Sequence, residues 1–207
     1  MYAKRLLLLG DSIIDNGAYV QEGEPDVAEQ VRKLMPEFDV EKRAIDGSVT
    51  ADVTRAQLHE LQDTDLIVLS TGGNDALLRA DLLDNVIHSE SKSILVELWN
   101  VRETFRSDYA ALLSKLAQKN RRILVFTIYN PNFATAGNDA DYQKAAESGV
   151  SAFNDVIQQE ALARNCSILE LRAFFDDPSD YANPIEPSAA GGAKLAERIR
   201  AWALPER

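Results

Sequence analysis

The sequence predicts an α/β protein of three layers, a five-stranded parallel sheet with helices on both faces. Two observations carry that prediction. Short apolar runs alternate along the chain with longer stretches of helical period, and strands covered on both faces read as continuous apolar runs instead of alternating ones. Turn-forming segments ("GDSIIDNG", "DGSVT", "TGGND", "NPNF" and the stretch leading to "NPIEPS") follow the runs in order, as loops at one end of such a sheet do.

The first strand is expected at Arg5–Leu9. Its apolar core, Leu6–Leu9, stops at Asp11 and falls short of the ~7 to 15 apolar residues of a secretory leader. Val27, Val31 and Leu34 then share a helical face. The second strand, Val40–Ile45, alternates in "VEKRAI" as an edge strand does, and Ala51, Leu58 and Leu61 form the next helical face. Asp65–Ser70 is the third strand. The longest helix carries Ile94, Leu98, Val101, Phe105, Tyr109, Leu112 and Leu116, spaced by three or four throughout, which is the stripe of a helix lying on a sheet. Strands at Arg122–Tyr129 and Ser167–Leu171 flank a helical stretch between Asp139 and Asn165. The last helix starts after Ser188, a suitable N-cap, and turns Leu195, Ile199 and Trp202 inward.

A chain of 207 residues suits one core, so a single domain over 1–207 is expected. The 33 Asp and Glu against 22 Lys and Arg leave a net charge of -11, which repels phosphate backbones and anionic lipid, and argues against nucleic acid as a partner. No window approaches the ~18 apolar residues of a membrane span. Cys166 is alone, so no disulfide framework is expected and a reducing cytoplasm fits.

In open parallel sheets, ligands bind beyond the carboxyl ends of the strands, where strand order reverses. After the first strand, Gly10 permits a tight turn and Ser12 stands at the entrance of a helical turn; the position suits a nucleophile and an N-cap alike. After the second comes Gly47, an oxyanion donor through its N–H or simply a turn residue. After the third, "LSTGGND" presents the amide of Asn74 for a developing oxyanion or for its own backbone. Singly, each stays open between a site and a turn.

Taken in order, the three segments resemble the GDSL esterases, also called SGNH hydrolases. "LLGDSIIDNG" is similar to that family's first block, "AIDGSVT" to the second and "LSTGGND" to the third. The resemblance implies the flavodoxin-like SGNH fold and hydrolysis of a small ester without a cofactor or metal. It implies Ser12 as nucleophile, with Gly47 and Asn74 as oxyanion donors beside the Ser12 N–H. The fourth block departs. The family places an Asp, and three positions on a His followed by Pro, before the last helix; "YANPIEPSAAGGAKLAERI" has Asn183 and Glu186 there, with Pro187 and Ser188 intact behind them.

A glutamate reaches as far as an imidazole and is ionised at neutral pH, so Glu186 is the expected atypical base. Reference pKa values of ~4.3 and ~6.5 leave it roughly 3 kcal/mol weaker in proton affinity unless burial near Asp11, Asp15 or Asp75 raises it. Asn183 either donates to that carboxylate or closes a turn with Pro184, and Asp180 is an alternative helper. His59 is expected away from the site, and His88 on the surface. Asp11 and Asp15 are candidate substrate contacts, Asn130 and Phe133 candidate walls of the acyl pocket, and residues 77–92 a partial lid. Two other readings compete: a catalytically silent relative binding a small ligand in the same pocket, and a metal-assisted hydrolase using Asp11, Asp15, Asp75 and Glu186.

Overall fold

The computed structural model describes residues 4–63, 65–84, 91–118, 121–133 and 140–204. Five parallel strands, β1 (Lys4–Gly10), β2 (Phe38–Lys42), β3 (Leu66–Ser70), β4 (Arg122–Phe126) and β5 (Ser167–Leu169), lie in the order β2-β1-β3-β4-β5. Strand order reverses at β1, between β2 and β3, so the loops after β1 and β3 open side by side.

Successive side chains of a strand point to opposite faces, and this explains the unbroken leucines of β1. Leu6 and Leu8 enter a core with α1 (Val27–Leu34) and α7 (Ala189–Ala203). Leu7 and Leu9 enter a second core with α5 (Ser91–Leu116) and α6 (Ala140–Leu162). All four leucines are fully buried. The α5 stripe packs from Val101 onward: Val101, Phe105, Tyr109, Leu112 and Leu116 are buried, while Ile94 and Leu98 are half-buried. Ser188 caps α7, its hydroxyl accepting from the N–H of Ala190 and of Gly191.

Four departures from the sequence reading have local causes. β2 lies earlier than Val40–Ile45 because the N–H groups of Arg43 and Ala44 both donate to the Leu8 carbonyl, a bulge that ends the ladder and leaves Ile45 exposed. The helix expected around Ala51–Leu61 is only α2 (Thr50–Asp52) followed by a π-turn, Val53–Gln57; Leu58 and Leu61 pack on the core from beyond it. β4 ends at Phe126 because the buried Asn154 amide takes both backbone groups of Ile128. Leu34 is exposed, and Met35 fills the core position instead. Two short helices, α3 (Gly73–Leu77) and α4 (Asp81–Asp84), follow β3.

The π-turn delivers Gln57 to the end of β1. Its amide accepts from the Gly10 N–H at 2.8 Å and donates to the Gly10 carbonyl at 2.9 Å, closing both backbone groups in a buried setting. Gly10 has φ +131°, and a Cβ there would lie 1.7 Å from the Ser70 carbonyl oxygen. Gly10→Ala is therefore expected to destabilise the protein by about 3 kcal/mol or more, read as a drop in the urea midpoint. An unchanged midpoint would contradict this packing.

Candidate active site

At the turn after β1 the capping bond is made by Asp11 and not by Ser12. Residues 11–15 form one helical turn, with the N–H groups of Ile14 and Asp15 donating to the Asp11 carbonyl. The capping acceptor is the Asp11 carboxylate, whose Oδ1 takes the Ile13 N–H at 3.2 Å and the Ser70 hydroxyl at 2.6 Å. Ser12 is left out of that network. Its side chain lies near enough to the Glu186 carboxyl to lower that group's pKa, and both residues line the same cavity.

Glu186 arrives from the other end of the chain and is held by its backbone. Asn183 Oδ1 accepts from the N–H of Ile185 and of Glu186, each at 3.0 Å, while the Glu186 carbonyl accepts from the Ala182 N–H. The Asn183 oxygen thus closes the turn that presents the glutamate. Buried Asn16 ties this turn to the serine turn: its Nδ2 donates to the Pro187 carbonyl and its Oδ1 accepts from the Val27 N–H.

The Glu186 side chain is buried, and its Oε2 has no hydrogen-bond partner among the described residues. Burial pushes its carboxyl up to about 7; the nearby Ser12 hydroxyl opposes that rise, and the negative charges of Asp46 and Asp11 add to it. Burial likewise pushes Asp11 up to about 6, against the pull of its bonds from Ser70 and Ile13. A hydroxyl beside a desolvated carboxyl of near-neutral pKa is equipped to hand over a proton and receive it back.

Ser12, Asn74, Glu186 and Asp11 are among the residues lining a cavity of about 140 Å³. The rest of it is walled largely by apolar side chains of α3, α4, α5, α6 and the loop after β4, Phe133 among them. Asn74 donates one amide N–H to the Ser48 carbonyl at 3.0 Å, which leaves the second to point elsewhere. Gly47 sits exposed at φ +77° in the turn 45–48 and is not among the lining residues.

A sequence profile described as the GDSL-like lipase/acylhydrolase family matches residues 8–194, from β1 through α7. The chain belongs to that family. Among solved structures, this GDSL-family protein is similar to an extracellular lipase from Streptomyces rimosus (18% identity, TM-score 0.74, covering 98% of this chain and 100% of that one). It is also similar to phospholipase A1 from Streptomyces albidoflavus NA297 (17%, TM-score 0.72, 98% and 100%) and to Axe2, an acetylxylan esterase from Geobacillus stearothermophilus (21%, TM-score 0.62, 99% and 95%). No curated protein matches the chain. The structural likeness shows the fold, and with it the parallel sheet and its helical layers.

Within this GDSL fold the remaining candidates divide. Asp15 accepts from Lys42 Nζ and from the Asp46 N–H, so its carboxylate braces the loop that carries Gly47. Asp75 caps α2 by accepting the Thr50 N–H and hydroxyl. With those two engaged elsewhere, the four carboxylates weighed for a cation do not converge, and no group of three or more His, Cys, Asp or Glu stands ready for a metal among the described residues. Asn130 contributes its carbonyl to the Tyr181 hydroxyl and does not line the cavity. Asp180 is buried but faces Lys194 and the N–H groups of Asp176 and Asp177. His59 is exposed, its ring on the Ala56 carbonyl, and His88 lies outside the described residues. Of residues 77–92, Leu77, Arg79, Ala80 and Leu82 line the cavity. No helix among the described residues is long and apolar enough to cross a membrane.

Sequence reasoning missed Asn16, Gln57, Ser70 and Asn154, the buried polar residues that hold the site loops. Each acts on a partner 11 to 171 positions away, so no local pattern marks it; the one available signal is a polar residue inside an apolar setting.

Proposed function

We propose that this GDSL-family protein is a serine acylhydrolase that cleaves small carboxylic esters. The observation that carries the reading is that the Ser12 side chain, left out of the Asp11 cap, lines one largely apolar cavity together with the buried Glu186 carboxyl.

Ionised Glu186 accepts the proton of Ser12 Oγ as that oxygen bonds to the ester carbonyl carbon. The negative charge moves to the carbonyl oxygen, where the Ser12 N–H and the Asn74 amide are its donors. Collapse breaks the bond to the alcohol oxygen, which takes the proton back from Glu186, and an acyl-Ser12 ester remains. A water then repeats the sequence with Glu186 as base, freeing the acid and restoring the serine. Asn183 serves as a positioning residue through the Glu186 N–H, and the Asp11 carboxylate positions the Ser12 turn.

A fluorophosphonate probe tests this directly. Intact and peptide mass spectra are expected to show one adduct per chain, on Ser12. A chain that stays unlabelled at Ser12 under prolonged exposure would overturn the reading in favour of a pocket that binds without chemistry.

A further inference from the structure

α6 carries a glycine at its middle. Gly149 stands among helix-forming neighbours in "KAAESGVSAFN", at a position where glycine weakens a helix relative to alanine. Two structural reasons ordinarily retain such a residue, a backbone with positive φ or the close approach of another chain segment. Neither holds here. Gly149 is absent from the positive-φ positions, and a Cβ built on it meets nothing within 4 Å among the described residues.

What it does face is the cavity. Tyr142, Ala146, Gly149, Val150 and Phe153 all line it, and their spacing puts them on one side of α6. Ser12, Asn74 and Glu186 line the same cavity. The empty space at the Gly149 Cα is therefore part of the cavity, and every larger side chain there would stand inside it. The apolar walls suit a hydrocarbon group, and a dry apolar cavity near 150 Å³ accommodates a guest of about six carbons; the one here is about 140 Å³.

We propose that Gly149 is a specificity-determining residue: it keeps open the α6 side of the cavity so that esters of straight-chain acids of about six carbons are preferred over acetates. The inference rests on the acylhydrolase reading for its turnover arm, and on the cavity alone for its binding arm.

The test compares the protein with Gly149→Ala and Gly149→Leu on p-nitrophenyl acetate, butyrate, hexanoate and octanoate, with 1-hexanol binding followed by calorimetric titration. The ratio of kcat/KM for hexanoate to that for acetate is expected to fall at least tenfold in Gly149→Leu and less in Gly149→Ala. Hexanol binding should weaken in the same order. Meanwhile Tm should rise by about 2 °C in Gly149→Ala, since the helix gains what glycine withheld. An unchanged chain-length ratio together with unchanged hexanol binding would overturn the proposal. Hexanol binding that is lost in Gly149→Leu, in a protein without Ser12-dependent turnover, would uphold the subsite and overturn the hydrolase reading instead.

Discussion

Replacing Ser12 by alanine is expected to lower kcat/KM for p-nitrophenyl acetate by at least about 10³-fold while leaving the urea midpoint nearly unchanged. Removal of a serine nucleophile in other hydrolases leaves only what positioning and oxyanion donors supply, so the loss is large even when the base is an unusual one. The stability arm separates this from the bland alternative. An N-cap serine changed to alanine costs ~1 kcal/mol and leaves chemistry alone. Here the Ile13 N–H is already satisfied by Asp11 Oδ1, so the fold has little to lose. Unaltered turnover in Ser12→Ala would remove the nucleophile assignment whatever the midpoint did.

Glu186 should dominate the pH dependence. A base acts when ionised, and burial has moved this carboxyl to about 7 from an ordinary 4.5, so kcat/KM is expected to rise through an inflection near pH 7. The same shift recovers most of the ~3 kcal/mol by which glutamate falls short of histidine in proton affinity. Glu186→Gln should lose about 10² to 10⁴-fold, the usual contribution of a positioned base, and the inflection with it. Glu186→His should keep activity, because Asn183 holds position 186 through its backbone N–H. An inflection that survives in Glu186→Gln would point to Asp11, the other raised carboxyl of the site, and against Glu186 as the base.

Stability should move with the same group, in a direction that follows from linkage. A carboxyl whose folded pKa is above its unfolded one binds its proton more tightly when folded, so its contribution is fully present below about 4.5 and is lost as pH rises through about 7. Glu186→Gln, which is permanently neutral, is thus expected to raise Tm relative to the parent at pH 8 and to change it little at pH 5.

Much of the architecture was legible because it depends on short-range periodicity. Leu6–Leu9, Leu66–Ser70 and the stripe from Val101 to Leu116 each announce a strand or helix from a handful of neighbouring residues, and the order of blocks around Ser12, Gly47 and Asn74 pointed to the family that the profile match shows. The element ends were less legible. Whether β2 stops at Lys42 depends on a bulge formed with Leu8, and whether residues 53–57 make an α- or a π-turn depends on Gln57 reaching Gly10. Those are pairings across the sheet that no local window contains.

The sequence by itself determined which segments supply the five strands, which loops stand at the carboxyl edge of the sheet, and that position 186 carries a glutamate ahead of Pro187 and Ser188. Only the tertiary structure decided what that glutamate is. Its charge state follows from desolvation and from Asp46 and Asp11, brought near it by the β1 and β2 loops, and Ser12 stays out of the cap because Asp11, held by Ser70 59 positions further along, fills that place. Secondary structure is written in neighbours along the chain, whereas proton affinity is set by neighbours in space, through loss of water and the sum of nearby charges.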